Sequence, residues 1–197
     1  MTSVDAKGEP IPWITYPAIE FLKQLDLSDR TVFEYGCGGS TVFWSRIAKH
    51  VDSVEHDADF YHIVKPMLPP NCTLTLRVSP EEYVNAPAEQ GPYDIIVIDG
   101  HSRVRCSEIA PQYLSKGGVI ILDNSDWFFE ASQNLRNHDL IEVDMAGMGP
   151  ISDFVSTTSF YFSREFRVKP KNARQPVGAI GSIPKPFFPK VVGPRST

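Results

Sequence analysis

The segment TVFEYGCGGST, residues 31–41, decides the fold, because an apolar run ends there in a glycine-rich turn. TVFEY has the composition of a buried β-strand. Gly36 and Gly38 allow a tight turn and let another group approach the backbone without meeting a Cβ atom. Ser40 and Thr41 are each able to cap a helix that follows. We therefore predict a strand, a glycine loop and a helix over residues 31–48.

The rest of the chain repeats this alternation of short apolar runs and helical patterns. DIIVID (94–99) and GVIILD (118–123) are continuously apolar, as expected for central parallel strands covered on both faces. Further strands are predicted at 52–56, 72–78, 140–145 and 159–163, and further helices at 14–25, 58–67, 104–114 and 127–137. The pattern predicts an α/β fold, a doubly wound, mostly parallel, seven-stranded sheet with an antiparallel edge strand.

Charge and proline divide the 197 residues into three predicted segments. These are an N-terminal segment with a helix (1–29), one domain (30–163) and a basic Pro-rich tail (164–197). The tail has eight Lys or Arg against one acid, Glu165, so the first 163 residues carry a net charge of −12 within a total of −5. So acidic a body argues against nucleic-acid binding. The tail either docks on its own body or contacts a partner, an anionic surface or the substrate.

Composition also predicts a compartment. No run approaches the roughly 18–20 apolar residues of a membrane span, and the N-terminus lacks the pattern of a secretory signal. The three cysteines are widely spaced and form no CxxC pair, which favours a reducing compartment without a disulfide framework. We expect a cytoplasmic protein. A chain this short has little material for a substrate lid, which the termini or a second subunit of a homo-oligomer would supply.

Four acids close predicted strands: Glu34 the first, Glu55 the second, Asp99 the fourth and Asp123 the fifth. Ligands of open α/β sheets bind outside the carboxyl ends of the strands, where these acids converge. One acid at such a position often only caps the next helix. Four in series favour a site that binds hydroxyl groups, an amine or a metal.

The first two acids define a candidate cofactor site. Thr41 stands at the third glycine position of a G-x-G-x-x-G dinucleotide fingerprint, and Glu34 lies two residues before the first glycine, which disfavours a diphosphate. Glu55, 21 residues further on, ends the next strand, where a carboxylate accepts hydrogen bonds from a ribose diol. We predict a ligand with a ribose and a cationic group.

The strings FEYGCGGST, SVEHD, YDIIVIDG and GGVIILDNSD together resemble the class I S-adenosylmethionine-dependent methyltransferases over residues 30–163. The resemblance implies a Rossmann-like methyltransferase fold and S-adenosylmethionine as cofactor. Ser40 departs from the family, because it stands where a third glycine is usual. The residues that the resemblance assigns to the cofactor are Glu34, Gly36, Gly38, Ser40, Thr41, Glu55, His56, Ser79 and Asp99.

Three alternatives stay open for the residues at the ends of the fourth and fifth predicted strands, where the methyl transfer would take place. A partial resemblance to the metal-dependent catechol-type O-methyltransferases implies a divalent cation, such as Mg²⁺, on Asp99, Asp123 and Asn124. The lysine that those enzymes carry beyond the first aspartate is missing here. In a second reading His101 is the general base, oriented by Asp99 or Asp123, and Arg103 and Arg105 bind an acidic group of the substrate. A purely structural role for His101, as a helix cap, is the third alternative.

The predicted function is O-methylation of a small molecule. Methylation of a nitrogen atom is the second choice. Trp13, Thr15 and Tyr16 are expected to cover the cofactor pocket, and Trp127 to line the acceptor site. The alternatives are an NAD(P)-dependent oxidoreductase and a non-catalytic cofactor-binding module that acts through a partner.

Overall fold

The computed structural model describes residues 3–173 and 176–178. Within them the chain forms seven strands and six α-helices. The strands β1 to β7 are Thr31–Tyr35, His50–Glu55, Cys72–Leu76, Tyr93–Ile98, Leu114–Leu122, Leu140–Met148 and Val155–Ser163. The helices α1 to α6 are Tyr16–Lys23, Gly39–Ile47, Ala58–Val64, Pro80–Asn85, Arg103–Ile109 and Phe129–Arg136.

All seven strands join one sheet in the order β3-β2-β1-β4-β5-β7-β6. Strands β1 to β5 pair in parallel, whereas β7 runs antiparallel to both β5 and β6. The predicted doubly wound, mostly parallel sheet is therefore confirmed. The antiparallel strand lies one place in from the edge, which β6 occupies. The short connection 149–154 folds β7 back along β6, so that its other side pairs with β5.

The apolar runs of the central strands feed two hydrophobic clusters, one on each face of the sheet. In β4, Ile95 and Val97 belong to the cluster that includes α1 and α2, whereas Ile96 and Ile98 belong to the cluster beneath α4, α5 and α6. Successive side chains of a strand point to opposite faces, so a strand covered on both faces must be apolar throughout. Trp44 of α2 is 1% exposed and anchors the first cluster.

The largest difference from the sequence predictions is helix α4, over Pro80–Asn85, which was not predicted. Six residues are too few for a helical period to stand out. Helix α2 begins at Gly39, two residues earlier than expected, with Gly38 at its cap. Gly38 N–H donates to the Thr41 side chain over 3.0 Å, so Thr41 caps from within the first turn.

The described part of the tail packs on the body. Phe166 and Val168 contact the first hydrophobic cluster, and Lys171 N–H donates to the Gln24 carbonyl at the end of α1. The rest of the predicted tail, residues 174–175 and 179–197, lies outside the described residues. Across the described ranges, every helix is too short or too polar to cross a membrane.

Candidate active site

The glycine loop after β1 is built around a buried carboxylate. Glu34 is 1% exposed, and its Oε2 accepts hydrogen bonds from the hydroxyls of Thr41 (2.5 Å) and Ser53 (3.2 Å). Because Thr41 also accepts from Gly38 N–H, one chain of hydrogen bonds fixes the start of α2 to the ends of β1 and β2. Glu34 therefore braces the loop that was predicted to hold the cofactor.

Glu34 forms no ion pair with any of the described residues. Burial raises its pKa to about 7, although the hydroxyls of Ser40, Thr41 and Ser53 stabilise the ionised form. Its second oxygen, Oε1, is buried and has no hydrogen-bond partner among the described residues. The Glu34 carboxyl therefore holds its proton to a higher pH than an ordinary carboxyl does.

The loops after β1 and β4 approach each other through two glycines. A Cβ atom on Gly100 would lie 2.2 Å from the Tyr83 hydroxyl oxygen and 2.8 Å from the Gly36 nitrogen. Gly36 itself has a φ of +100°, in the left-handed region that favours glycine. These two positions therefore require glycine, and the resulting contact brings the end of β4 beside the glycine loop.

Glu55, the predicted ribose ligand, is 5% exposed and largely bound to its own chain. Its Oε1 accepts from the backbone N–H groups of His56 (2.7 Å) and Asp57 (2.8 Å), and lies 2.9 Å from His56 Nδ1. Its Oε2 faces Cys37 Sγ at 3.4 Å. Burial, with the Glu55 carboxylate beside it, raises the pKa of the Cys37 thiol, which keeps it neutral.

His56 and His101 form a stack across the end of β1. Their ring centroids lie 4.6 Å apart with an interplanar angle of 12°, and His101 is exposed. Ser79 precedes α4 and is also exposed, and its side chain makes no capping hydrogen bond. The structure thus places the predicted general base, His101, against His56, one of the residues that the resemblance assigns to the cofactor.

Arg103 joins the ends of β4 and β5 through all five of its N–H donors. Its Nε donates to the Gly100 carbonyl, and its two terminal nitrogens donate to the carbonyls of Asp99 and Asp123, to Asp99 Oδ1 and to Asn124 Oδ1, over 2.6–3.1 Å. The guanidinium also lies over the Phe128 ring, 4.8 Å from its centroid. Arg103 therefore positions this end of the sheet and has no donor left for an acidic substrate group.

These contacts do not fit the predicted divalent cation. Arg103 occupies one oxygen of Asp99 and the side-chain oxygen of Asn124, which are two of the three predicted ligands. Thr158 donates to Oδ1 of the third, Asp123, over 2.6 Å. No group of three or more His, Cys, Asp or Glu suited to a metal occurs among the described residues. The metal prediction is corrected on these grounds, since the guanidinium already neutralises the carboxylate that a metal would bind.

Asp99 and Asp123, at the ends of β4 and β5, both have raised pKa values. Burial raises the pKa of Asp123 to about 6, against the Thr158 hydrogen bond and the nearby Arg103 charge. Burial and the neighbouring Asp123 carboxylate raise the pKa of Asp99, which the Arg103 guanidinium opposes. Arg103 therefore forms an ion pair with Asp99 and acts on the Asp123 carboxylate only as a nearby charge.

Two cavities open at this edge of the sheet and adjoin at Asp99 and Trp13. The donor cavity, as we call the larger one, has a volume of about 560 Å³ and runs along the glycine loop and α3. The acceptor cavity has a volume of about 340 Å³ and lies over the ends of β4 and β5. Its lining residues include Trp13, Asp99, Arg103, Asp123, Asn124, Trp127, Ser152, Phe154 and Ser156.

Several predicted site residues line these cavities. Gly38 and Ser40 line the donor cavity, while Asp123, Asn124 and Trp127 line the acceptor cavity. Seven other predicted residues are absent from the described linings of both cavities, namely Glu34, Gly36, Thr41, Glu55, His56, Ser79 and His101. Thr15 is fully buried and donates to the Met145 carbonyl, so it supports the N-terminal segment from below.

Sequence reasoning missed the contribution of the loop between β6 and β7. Ser152 accepts a hydrogen bond from Trp13 Nε1 over 2.8 Å, which fixes the N-terminal segment across the site. Phe154 packs on Trp127 with ring centroids 5.2 Å apart. Gly149-Pro150 marks this loop as a turn in the sequence, but nothing in the sequence places the turn beside Trp13.

Solved structures share this architecture at low sequence identity. A precorrin-6y C5,15-methyltransferase from Geobacter metallireducens aligns over 82% of this chain and 94% of its own, with a TM-score of 0.59 and 17% identity. The cofactor-bound protein Rv0187 from MTB aligns over 74% and 79%, with a TM-score of 0.61 and 18% identity. The chain has the Rossmann-like methyltransferase fold. No protein-family model and no curated protein matches the sequence.

The Rossmann-like methyltransferase fold also occurs in proteins named for other activities. A spermidine synthase from Thermotoga maritima aligns over 76% of this chain and 56% of its own, with a TM-score of 0.54 and 14% identity. The fold alone therefore leaves the reaction open, and the argument for function rests on the site.

Proposed function

We propose that this protein is a methyltransferase that moves a methyl group from S-adenosylmethionine to a small-molecule acceptor, with an oxygen as the target atom. The observation that carries this proposal is the pair of cavities that adjoin at Asp99 and Trp13. A group-transfer enzyme needs a donor site and an acceptor site in direct contact. Here the donor cavity follows the glycine loop, and the acceptor cavity lies over the next strand ends.

The chemistry demands little more than positioning. Bound S-adenosylmethionine would supply the methyl group: its carbon–sulfur bond would break with the electron pair on sulfur as the acceptor oxygen bonds to the methyl carbon, and the acceptor hydroxyl proton would pass to solvent water. Because the displacement is in line, holding the two reactants in contact supplies most of the rate enhancement. The five hydrogen bonds of Arg103 and the brace around Glu34 keep the strand ends rigid for this purpose.

The donor cavity offers complementary groups to S-adenosylmethionine. Its lining includes Cys37, Gly38 and Ser40 at the start of α2, where backbone approach is unhindered, and Asp99 on the side that adjoins the acceptor cavity. Glu55 lies directly behind Cys37 and is proposed to bind the ribose diol. In that complex Oε2, rather than the chain-bound Oε1, would accept from the ribose hydroxyls.

Calorimetric titration of S-adenosylhomocysteine tests the cofactor assignment. We expect micromolar binding to the wild type, a loss of at least tenfold in Glu55→Ala, and none for NAD. Glu108→Ala, an exposed acid on α5, is the matched control and should bind like the wild type. Glu55→Gln preserves side-chain volume if the alanine variant unfolds.

The same titration separates the methyltransferase proposal from an NAD(P)-dependent oxidoreductase. Binding of NAD in place of S-adenosylhomocysteine would identify an oxidoreductase. Absence of S-adenosylhomocysteine binding to the folded wild type would overturn the methyltransferase proposal.

A further inference from the structure

The geometry of the acceptor cavity points to an acceptor molecule that carries a protonated amine. We propose that this ammonium group binds between the indole rings of Trp13 and Trp127 and the carboxylate of Asp123. The inference rests on the proposed function, because it treats this cavity as the acceptor site.

Three aromatic rings form the walls of the acceptor cavity. Trp13 is 53% exposed, Trp127 57% and Phe154 40%, so their faces are available to a ligand. The rings are also held in place, because Trp13 Nε1 donates to Ser152 and Trp127 packs on Phe154. The quadrupole of an aromatic ring attracts an organic cation that lies over its face, and Trp is the most favourable ring.

The charges on the cavity floor favour a cation. Among the described residues that line the cavity, Arg103 is the only cation, and Asp99 and Asp123 are the acids. Arg103 forms its ion pair with Asp99, at 2.9 Å, which leaves the negative charge of Asp123 without an ion-pair partner there. Asp123 is 3% exposed, so an ammonium that pairs with it does so in a largely water-free setting.

The same contacts disfavour an anionic acceptor. A carboxylate or phosphate needs free N–H donors, but all five donors of Arg103 already bind protein oxygens. A neutral planar molecule would use the aromatic walls and gain nothing from Asp123. An ammonium held by Asp123 keeps its proton and has no lone pair, so the methyl group would go to another atom of the same molecule.

Three probes of one shape and different charge test this inference. They are tryptamine (cation), indole-3-ethanol (neutral) and indole-3-acetate (anion), titrated into the wild type by calorimetry with and without S-adenosylhomocysteine. We expect tryptamine to bind at least tenfold more tightly than indole-3-ethanol, and indole-3-acetate to bind most weakly. Failure of tryptamine to exceed indole-3-ethanol, including the case in which neither binds, overturns the inference.

Two variants locate the binding. Asp123→Asn should abolish the preference for tryptamine over indole-3-ethanol, whereas Asp126→Asn, which changes a nearby charge outside the cavity lining, should preserve it. Trp127→Leu should weaken tryptamine binding and keeps the fold testable if Asp123→Asn unfolds. A charge preference that persists in both Asp123→Asn and Trp127→Leu would also overturn the inference. S-adenosylhomocysteine binding is measured separately, so failure of the cofactor proposal remains distinguishable.

Discussion

The two halves of the site bury carboxylates at their strand ends but compensate them in different ways. In the donor half, at the ends of β1 and β2, Glu34 receives only hydroxyl hydrogen bonds, from Thr41 and Ser53. In the acceptor half, at the ends of β4 and β5, Asp99 and Asp123 lie beside the guanidinium of Arg103. An acid at the end of a strand can therefore brace a loop or line a cavity. The side chains that surround it determine which of the two it does.

Removal of the cation in the acceptor half gives the largest expected effect. Arg103→Met leaves Asp99 and Asp123 without compensation and should lower the free energy of unfolding by about 3–5 kcal/mol, measured by urea denaturation. Arg105→Met is the matched control on the same helix. Arg105 is 47% exposed in its pair with Glu81, so its loss should change the free energy of unfolding far less than the loss of Arg103 does.

Asp99→Asn in the Arg103→Met background should restore part of the lost stability, because it removes an unpaired charge. Equal costs for Arg103→Met and Arg105→Met would show that Arg103 does not join the two strand ends.

Rising pH should destabilise the donor half, because Glu34 is buried and forms no ion pair among the residues that the structure describes. Its pKa is about 7 in the folded chain and 4.5 as an ordinary carboxyl, so the folded state binds more protons between these values. The stability contribution is fully present below about pH 4.5 and is lost as pH rises to about 7. Over that range the free energy of unfolding of the wild type should fall relative to Glu34→Gln by about 3 kcal/mol.

Parallel urea titrations of the two proteins at several pH values measure this difference. The comparison with Glu34→Gln is necessary because Asp123, with a pKa of about 6, contributes a change of the same sign. Identical pH slopes for the two proteins would mean that Glu34 ionises as freely when folded as when unfolded.

The smallest effect concerns the contact between the N-terminal segment and the β6–β7 loop, which spans both halves. Trp13→Phe keeps an aromatic wall but removes the hydrogen bond to Ser152, and should cost about 0.5–1.5 kcal/mol. Ser152→Ala removes the same bond from the other side. In a double-mutant cycle the two losses should not add, whereas full additivity would show that the bond is energetically irrelevant.

The sequence by itself determined the fold class and the positions of the acids. Continuous apolar runs such as DIIVID identify strands buried on both faces, and the chain order then places Glu34, Glu55, Asp99 and Asp123 at one edge of the sheet. Helix α4 escaped notice because Pro80–Asn85 is shorter than two helical turns. The antiparallel β7 was expected. Its position between β5 and β6 depends on which strands pair, and the local sequence pattern does not encode that.

Only the tertiary structure decided what each site residue contacts. The partial family resemblance implied a metal on Asp99, Asp123 and Asn124, yet Arg103 folds back from α5 and takes two of their oxygens. His101 lies two residues after Asp99 in the sequence, but in the fold its ring stacks on that of His56. Trp13 meets Ser152 across 139 positions of the chain. Periodicity reports which face a residue occupies, whereas hydrogen-bond partners and charge balance depend on side chains that distant segments bring together.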